Sequence, residues 1–325
     1  MYKNKIIFIA ALDWGLGHAS RCVPLIKKLA LDNTIILGVT PLTSLIFDEE
    51  FPNLKKINIA PYHISYSKVL PIRIKLLLDL PRIKKIIKEE NTQLKNIIIE
   101  NKIDVVISDN RLGLYHQSVE SVYITHQINL QVGFLSFFAN KIHHYFIKKY
   151  NVVWIPDVQD EQQSLSGKLS HPCNFKNVIY IGILSRLEKI ESPKFNFDYL
   201  FLLSGPEPQR TLLEKNLIDI ASKSDKKIAL VRGSSLPFNK DVTENIKVFN
   251  LPNAKILSQL ITNSNTIICR SGYSSLMDLN HLNKMNLILI PTKQQAEQIY
   301  LANYWKTKFK VNVIYESNLN ELSLS

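Results

Sequence analysis

Thr266-Ile267-Ile268-Cys269-Arg270-Ser271-Gly272-Tyr273-Ser274-Ser275-Leu276-Met277-Asp278 is the stretch that decides how this chain is read. Its first four residues predict a strand, Ser271-Gly272 predicts a turn, and the residues after it predict an amphipathic helix carrying Asp278. A second strand follows, ends at Pro291, and runs into a glutamine-rich helix start with Gln294, Gln295 and Gln298. Turns of this kind leave backbone N–H groups at the positive end of a helix, where a diphosphate binds. A carboxylate one helical turn further on accepts hydrogen bonds from a ribose. The combination predicts a nucleotide-diphosphate site at the carboxyl edge of a parallel sheet.

Outward from this stretch the chain alternates strand and helix, which predicts parallel sheets. First-half strands are expected at Lys5–Leu12, Thr34–Val39, Lys56–Ile59, Asp104–Ser108, Ser121–Thr125 and Val152–Ile155, with helices at His18–Leu31, Ile72–Asn101 and Val132–Lys149. Pro71 and Pro81 are expected to start or break segments of the long helix. A second series follows the irregular polar stretch from Asp157 to Asn177. Its strands are expected at Val178–Ile183, Tyr199–Leu203, Lys227–Val231, Ile246–Phe249, Thr266–Cys269, Leu287–Ile290 and Val311–Tyr315, with helices at Gln209–Lys223 and Ala254–Thr262. The reading is α/β, two doubly wound Rossmann-like domains, 1–185 and 186–325, whose carboxyl edges face a cleft. The chain stops soon after its last short strand, so a terminal helix packing back on the first domain is expected to be missing or very short.

The loop Asp13-Trp14-Gly15-Leu16-Gly17-His18 joins the first strand to the first helix. Gly15 and Gly17 permit a tight turn and close backbone approach. His18 at the helix start suits a general base or a sugar hydrogen bond, against the plainer reading of a helix cap. The dinucleotide fingerprint G-x-G-x-x-G fails at Ser20. Asp109-Asn110-Arg111 and His126-Gln127 emerge from apolar strands at the same edge, as acceptor-side contacts or as helix caps and a buried histidine. In the second half, Arg186 matches phosphate geometry. Ser204-Gly205 brings backbone close to a phosphate, with Arg210 adding charge. Arg270, Ser271, Gly272, Tyr273, Ser274 and Ser275 complete the donor turn, Asp278 the ribose contact, and the three glutamines the sugar hydroxyl contacts. Neither an Asp-x-Asp pair nor any other metal constellation is present in the sequence, which favours stabilisation of the leaving group by arginine and helix dipoles.

Cys22, Cys173 and Cys269 are widely spaced and odd in number, so neither a disulfide framework nor a zinc spacing is expected. The first residues lack the pattern of a signal peptide, and no apolar run approaches the ~20 residues that span a bilayer. A cytoplasmic protein is expected. The formal net charge is +12 over 325 residues. A solvated basic surface explains part of it. Between 64 and 88, however, Lys68, Arg73, Lys75, Arg82, Lys84, Lys85 and Lys88 interleave with apolar residues and meet only Asp79, which suits peripheral contact with an anionic membrane. A nucleic-acid partner is not expected, since no aromatic-plus-basic platform is evident.

Cys269-Arg270-Ser271-Gly272 with Asp278 eight residues after the arginine, then Pro291 and the glutamines, resembles glycosyltransferase family 28, the MurG-like group with the GT-B fold. Gly15 to His18, His126-Gln127 and Arg186 fall on further motifs of that family in order. Asp278 stands where the family carries a glutamate. Asp13-Trp14 and the Pro206-Glu207-Pro208 turn replace glycine-rich segments, and Ile299 replaces the second glutamine of the last motif. The resemblance therefore implies the donor and leaves the acceptor open. It implies an inverting, metal-independent hexosyltransferase that moves a hexose-type sugar, N-acetylglucosamine among them, from a UDP-sugar to a lipid or glycan hydroxyl, with no cofactor. Two rival readings are a UDP-sugar 2-epimerase, with Glu207 and Asp109 as its proton-transfer carboxylates, and a non-enzymatic nucleotide-binding scaffold at the membrane.

Overall fold

The computed structural model describes residues 2–62, 72–131, 133, 136–190 and 196–324, and within the long helix the side chains from 81 onward. It divides into two compact units, Met1–Leu184 and Ser185–Ser325.

In the first unit, seven strands among the described residues form one parallel sheet: β1 (Ile6–Ala11), β2 (Thr34–Val39), β3 (Lys55–Asn58), β4 (Val105–Asp109), β5 (Glu120–Ile124), β6 (Val152–Ile155) and β7 (Val178–Tyr180), in the order β3-β2-β1-β4-β5-β6-β7. The central strands read as continuous apolar runs because helices cover both faces of the sheet, and Phe8, Ile9, Val106 and Ile107 are all fully buried. The helices are α1 (Leu16–Leu29), α2 (Pro41–Glu50), α3 (Ile72–Asn101) and α4 (Ser136–Ile147). Thr40 caps α2 in a reciprocal capping box with Thr43. The α3 helix runs on through Pro81, contrary to the break expected there.

The second unit repeats the plan with β8 (Phe197–Leu202), β9 (Ile228–Val231), β10 (Ile246–Phe249), β11 (Ser264–Cys269), β12 (Leu287–Leu289) and β13 (Asn312–Val313), in the order β10-β9-β8-β11-β12-β13. Its helices are α5 (Gln209–Ala221), α6 (Ala254–Thr262), α7 (Tyr273–His281) and α8 (Ala296–Phe309). Tyr199, Phe201, Leu213, Leu217, Leu230 and Ile268 build its core.

One strand changes place relative to the sequence reading. Val178–Tyr180 does not begin the second series. It pairs in parallel with Val153–Ile155 at the edge of the first sheet. The polar stretch before it is a folded loop. Asp157 accepts hydrogen bonds there from Ser164 Oγ (2.7 Å), Ser166 N (3.0 Å) and Leu165 N (3.0 Å), which wraps the chain back onto the first sheet.

In each unit the chain winds outward from two adjacent central strands, β1 and β4 in one and β8 and β11 in the other. Helices that leave neighbouring strands on opposite faces open a crevice at their carboxyl ends.

Candidate active site

Both crevices carry the residues singled out in the sequence. In the first unit, β1 and β4 pair with Ala11 opposite Asp109, and the chain turns into α1 through Gly15. Gly15 has φ 150°, a conformation that favours glycine, with open space where a Cβ would point. Gly17 lies inside the first helical turn rather than in the loop, because α1 starts two residues earlier than expected.

His18 and Arg21 sit three apart on one face of α1 and both turn toward Asp109. Nδ1 of His18 is 2.8 Å from Asp109 Oδ1. Arg21 donates from Nε to Oδ2 at 2.6 Å and from Nη2 to Oδ1. The Cys22 thiol lies 3.3 Å from Oδ2. Burial alone would raise the pKa of this fully enclosed carboxyl. The Arg21 guanidinium and the His18 ring outweigh it and hold it well below the ordinary carboxylate range. An ionised carboxylate only accepts, so we assign the His18 proton to Nδ1 and take Arg21 Nη2, 2.9 Å from that nitrogen, as donating to Asp109 Oδ1 instead; Nε2 is then the lone-pair nitrogen. Among the described residues Nε2 has no hydrogen-bond partner.

Around this dyad several expectations change. Asp109 and Asn110 cap no helix. Asp109 is the buried orienting group of His18, and Asn110, at φ 60°, accepts from the Tyr123 hydroxyl at 2.7 Å. Arg111 is not an acceptor contact: it is fully buried, with Nε paired to Glu90 and its guanidinium 4.8 Å above the Tyr62 ring. His126 is buried as well. Its Nδ1 lies 3.2 Å from Arg21 Nη1, and since a guanidinium only donates, that ring nitrogen is the acceptor. Gln127 is held by its backbone, its N–H donating to Thr125 Oγ1 and its carbonyl accepting from His143 Nε2. Arg21 had no role in the sequence reading. The signal was there in the His-x-x-Arg spacing on a helix that follows the strand beside Asp109.

In the second unit, the turn after β8 puts Gly205 at φ 102°, exposed, with nothing near the position of a Cβ. Across the crevice, Gly272 is the N-cap of α7 and supplies no side-chain cap. A Cβ at Gly272 would likewise meet nothing within 4 Å. Gly272, Ser274 and Ser275 are partly exposed at the start of α7, where first-turn N–H groups take their partners from outside the helix. One turn on, Asp278 accepts a hydrogen bond from Ser185 Oγ at 2.6 Å. Burial pushes its pKa up to about 6, against the lowering pull of Ser185 and of Arg186 beside it. The charge of Arg186 acts on this carboxylate, and Ser185 is a hydrogen-bonding neighbour the sequence reading missed.

Other donor-turn residues are engaged inside the unit. Arg270 is buried: it donates to Ile290 O and Gln209 O, both at 3.2 Å, and pairs with Glu316. Ser271 Oγ donates to Gln298 O at 2.8 Å, and Tyr273 is buried. Arg210 is enclosed between Glu207 and Glu214, and is not placed to reach a phosphate. Gln298 turns inward and its Oε1 accepts from Thr292 N and Oγ1, both at 2.9 Å, while its Nε2 donates to Gln295. Gln295 is the N-cap of α8, and Gln294, at φ 72°, remains exposed. Both epimerase carboxylates are likewise occupied, Glu207 by Arg210 and Asp109 by Arg21. Among the described residues no cluster of three or more His, Cys, Asp or Glu is placed to hold a metal ion.

Residues 206–325 match the glycosyltransferase family 28 C-terminal domain, a span that holds the α7 turn and Asp278. That span is a glycosyltransferase family 28 C-terminal domain, and the chain as a whole has the GT-B fold. The fold agrees with solved glycosyltransferases at low identity. MurG from Acinetobacter baumannii is 10% identical with a TM-score of 0.53, over 99% of this chain and 88% of that one. SnogD from Streptomyces nogalater is 14% identical with a TM-score of 0.58, over 99% and 91%. The spinosyn rhamnosyltransferase SpnG complexed with thymidine diphosphate is 12% identical with a TM-score of 0.64, over 97% and 88%. No curated protein matches the sequence. The family 28 C-terminal domain therefore carries the turn at Gly272, and the first unit carries the histidine–aspartate pair.

Proposed function

We infer that this chain is a glycosyltransferase that transfers a hexose-type sugar from a UDP-sugar to an acceptor hydroxyl with inversion at the anomeric carbon. The observation that carries the reading is the uncapped α7 N-terminus, open at Gly272, with the Asp278 carboxylate one turn on, inside the span matched to the family 28 C-terminal domain. Backbone N–H groups at the positive end of a helix bind the diphosphate, and the turn at Ser204-Gly205 admits it from the side of β8. Asp278 accepts from the ribose hydroxyls, and Arg186, whose charge acts on that carboxylate, offsets the negative charge that grows on the leaving group. That a solved neighbour of similar fold holds thymidine diphosphate supports a nucleoside diphosphate as the leaving group.

The acceptor hydroxyl is deprotonated by His18 Nε2. Its oxygen forms the bond to the anomeric carbon as the bond from that carbon to the diphosphate oxygen breaks. The proton moves to His18, and Asp109 stabilises the imidazolium through Nδ1. Lipid and glycan hydroxyls are the acceptor classes to be examined.

The decisive experiment is a nucleotide-release screen with UDP- and TDP-sugars, each with and without lipid or glycan extract. Acceptor-dependent UDP release that is lost in both His18→Ala and Asp278→Ala supports the reading. Unchanged release in both variants, or TDP-sugar turnover alone, overturns the assignment.

A further inference from the structure

Of the three tryptophans, two are enclosed and one stands in water. Trp154 is buried beside Tyr2, and Trp305 is buried against Phe309. Trp14 is 39% exposed. Among the described residues its indole makes no hydrogen bond and no ring contact. A large ring left in water is informative through its place in the fold rather than through its exposure alone.

Trp14 lies between β1 and α1, at the carboxyl edge of the first sheet and four residues before His18. Its flanks are held. Leu12 N donates to Asp109 O at 2.9 Å. Asp13 Oδ1 accepts from Tyr62 N at 3.2 Å and lies 3.6 Å from Arg111 Nη1. Arg111 is fixed in turn by Glu90 and by the Ala60 carbonyl, and the Tyr62 hydroxyl donates to Glu90 at 2.6 Å. A buried ion pair therefore braces the residue before Trp14. On its other side, Gly15 has open space where a Cβ would stand. The same edge carries two polar groups without partners among the described residues. One is His18 Nε2. The other is the partly exposed amide of Asn110, whose Oδ1 is taken by the Tyr123 hydroxyl and whose N–H groups remain available.

We propose that Trp14 is the stacking platform for the acceptor, and that the acceptor is a saccharide whose ring lies on the indole with one hydroxyl turned to His18 Nε2. A pyranose carries C–H bonds on its faces and hydroxyls around its rim. The C–H bonds meet the negative face of an indole, while the hydroxyls reach an amide donor and a base. A lipid chain or a flat aromatic acceptor needs an enclosure of several apolar side chains. Around Trp14 the chain offers Asp13, Gly15, Gly17 and Asn110 instead, and Leu16 packs into the core. The exposed rings of Phe137 and Phe138 belong to α4, which follows β5, two strands from β1. Residues 63–71, which include the start of the basic 64–88 segment expected to meet a membrane, lie outside the described residues, as do the side chains of 72–80. The platform rests on the glycosyl-transfer reading above and narrows its two acceptor classes to one.

Trp14 is its own probe, because iodide quenches exposed tryptophan fluorescence and does not reach the buried Trp154 and Trp305. The full chain is titrated with iodide alone and in the presence of maltose, lactose, cellobiose or diacetylchitobiose, with decanol and phenol as apolar controls. At least one saccharide is expected to lower the quenching constant about twofold or more, since a stacked ring covers the indole face, and the controls are not. Trp14→Phe is expected to remove the quenchable component and to unfold as the parent does. In transfer assays with the protecting saccharide, Trp14→Ala is expected to raise the acceptor KM about tenfold or more, with kcat changed less than about threefold. Trp14→Phe, which keeps a ring, is expected to recover most of that loss. UDP titration heats of both variants are expected to match the parent, which separates a failed platform from a failed donor site or a failed fold. A saccharide that protects Trp14 but accepts sugar from no UDP-donor supports the platform and overturns the glycosyl-transfer reading instead. The proposal itself is overturned if no saccharide protects Trp14, if only decanol or phenol does, or if Trp14→Ala keeps the parental KM.

Discussion

Asp109 Oδ1 lies 2.8 Å from His18 Nδ1, although the two residues are 91 positions apart in the chain. The contact exists because β1 and β4 are neighbours and α1 leaves the end of β1 directly above Asp109. It fixes one ring nitrogen and points the other outward, as a general base requires. Arg21 supplies the counter-charge that keeps the carboxylate ionised.

Replacing His18 by Ala is expected to lower kcat by about 10²- to 10⁴-fold with an unchanged affinity for UDP. Replacing Asp109 by Asn is expected to lower kcat as well, and also to destabilise the fold by about 3 kcal/mol, because it leaves the buried Arg21 charge uncompensated. Urea unfolding alongside steady-state kinetics separates the two effects. A stable Asp109→Asn chain with parental kcat would remove the dyad from the mechanism.

The depressed pKa of Asp109 has a sign that can be checked. The folded carboxyl holds its proton less tightly than the unfolded one, so its stabilising contribution is complete above the ordinary aspartate value of about 4. That contribution is lost as pH falls below it. Stability measured by denaturant between about pH 5 and pH 2 is expected to drop more steeply in the parent than in Asp109→Asn.

Asp278 behaves in the opposite sense. Its folded pKa is raised to about 6, so its ionisation costs stability as pH rises from the ordinary value through 6. In the proposed role the ionised carboxylate accepts two ribose hydroxyl hydrogen bonds. Calorimetric titration with UDP is therefore expected to show affinity falling about tenfold per pH unit well below 6, and Asp278→Asn is expected to flatten that slope while weakening binding at pH 8. A parent slope identical to that of Asp278→Asn would detach the residue from the nucleotide.

Gly272 separates space from strain. Its φ is −74°, which any residue adopts, and the volume beside it is open. Gly272→Val is expected to shift the unfolding midpoint by less than about 1 kcal/mol and to weaken UDP binding at least about tenfold, because the branched side chain fills the space in front of α7. Retained affinity would mean that the diphosphate does not sit there.

Arg270 provides the converse case. Its guanidinium joins the ends of β11 and β12, the start of α5 and Glu316. Arg270→Met is expected to cost about 2–4 kcal/mol in urea unfolding. At a temperature where the variant remains folded, its affinity for UDP is expected to stay within about twofold of the parent, whereas a direct phosphate ligand would lose far more.

The order of strands and helices was legible in the sequence, because apolar periodicity and glycine-bearing turns are local signals that survive without tertiary context. Val178–Tyr180 was legible as a strand and fell inside the first domain by the 1–185 boundary, but it was counted with the second strand series, since nothing local in three residues states which neighbour they pair with. The turns themselves were legible too, from Gly15, Gly205 and Gly272 between strand and helix.

Which side chains in those turns face outward was settled only by tertiary structure. Arg270, Ser271, Arg210 and Gln298 look like ligand-binding residues in one dimension, yet each has its polar atoms paired inside the second unit. Buried polar groups must be paired, and their partners here come from other elements, such as Glu316 for Arg270 and Thr292 for Gln298. By the same rule Asp109 passed from a candidate acceptor contact or helix cap to the group that orients His18. The chain's local chemistry determined where the crevices lie, and long-range pairing determined which residues remain available in them.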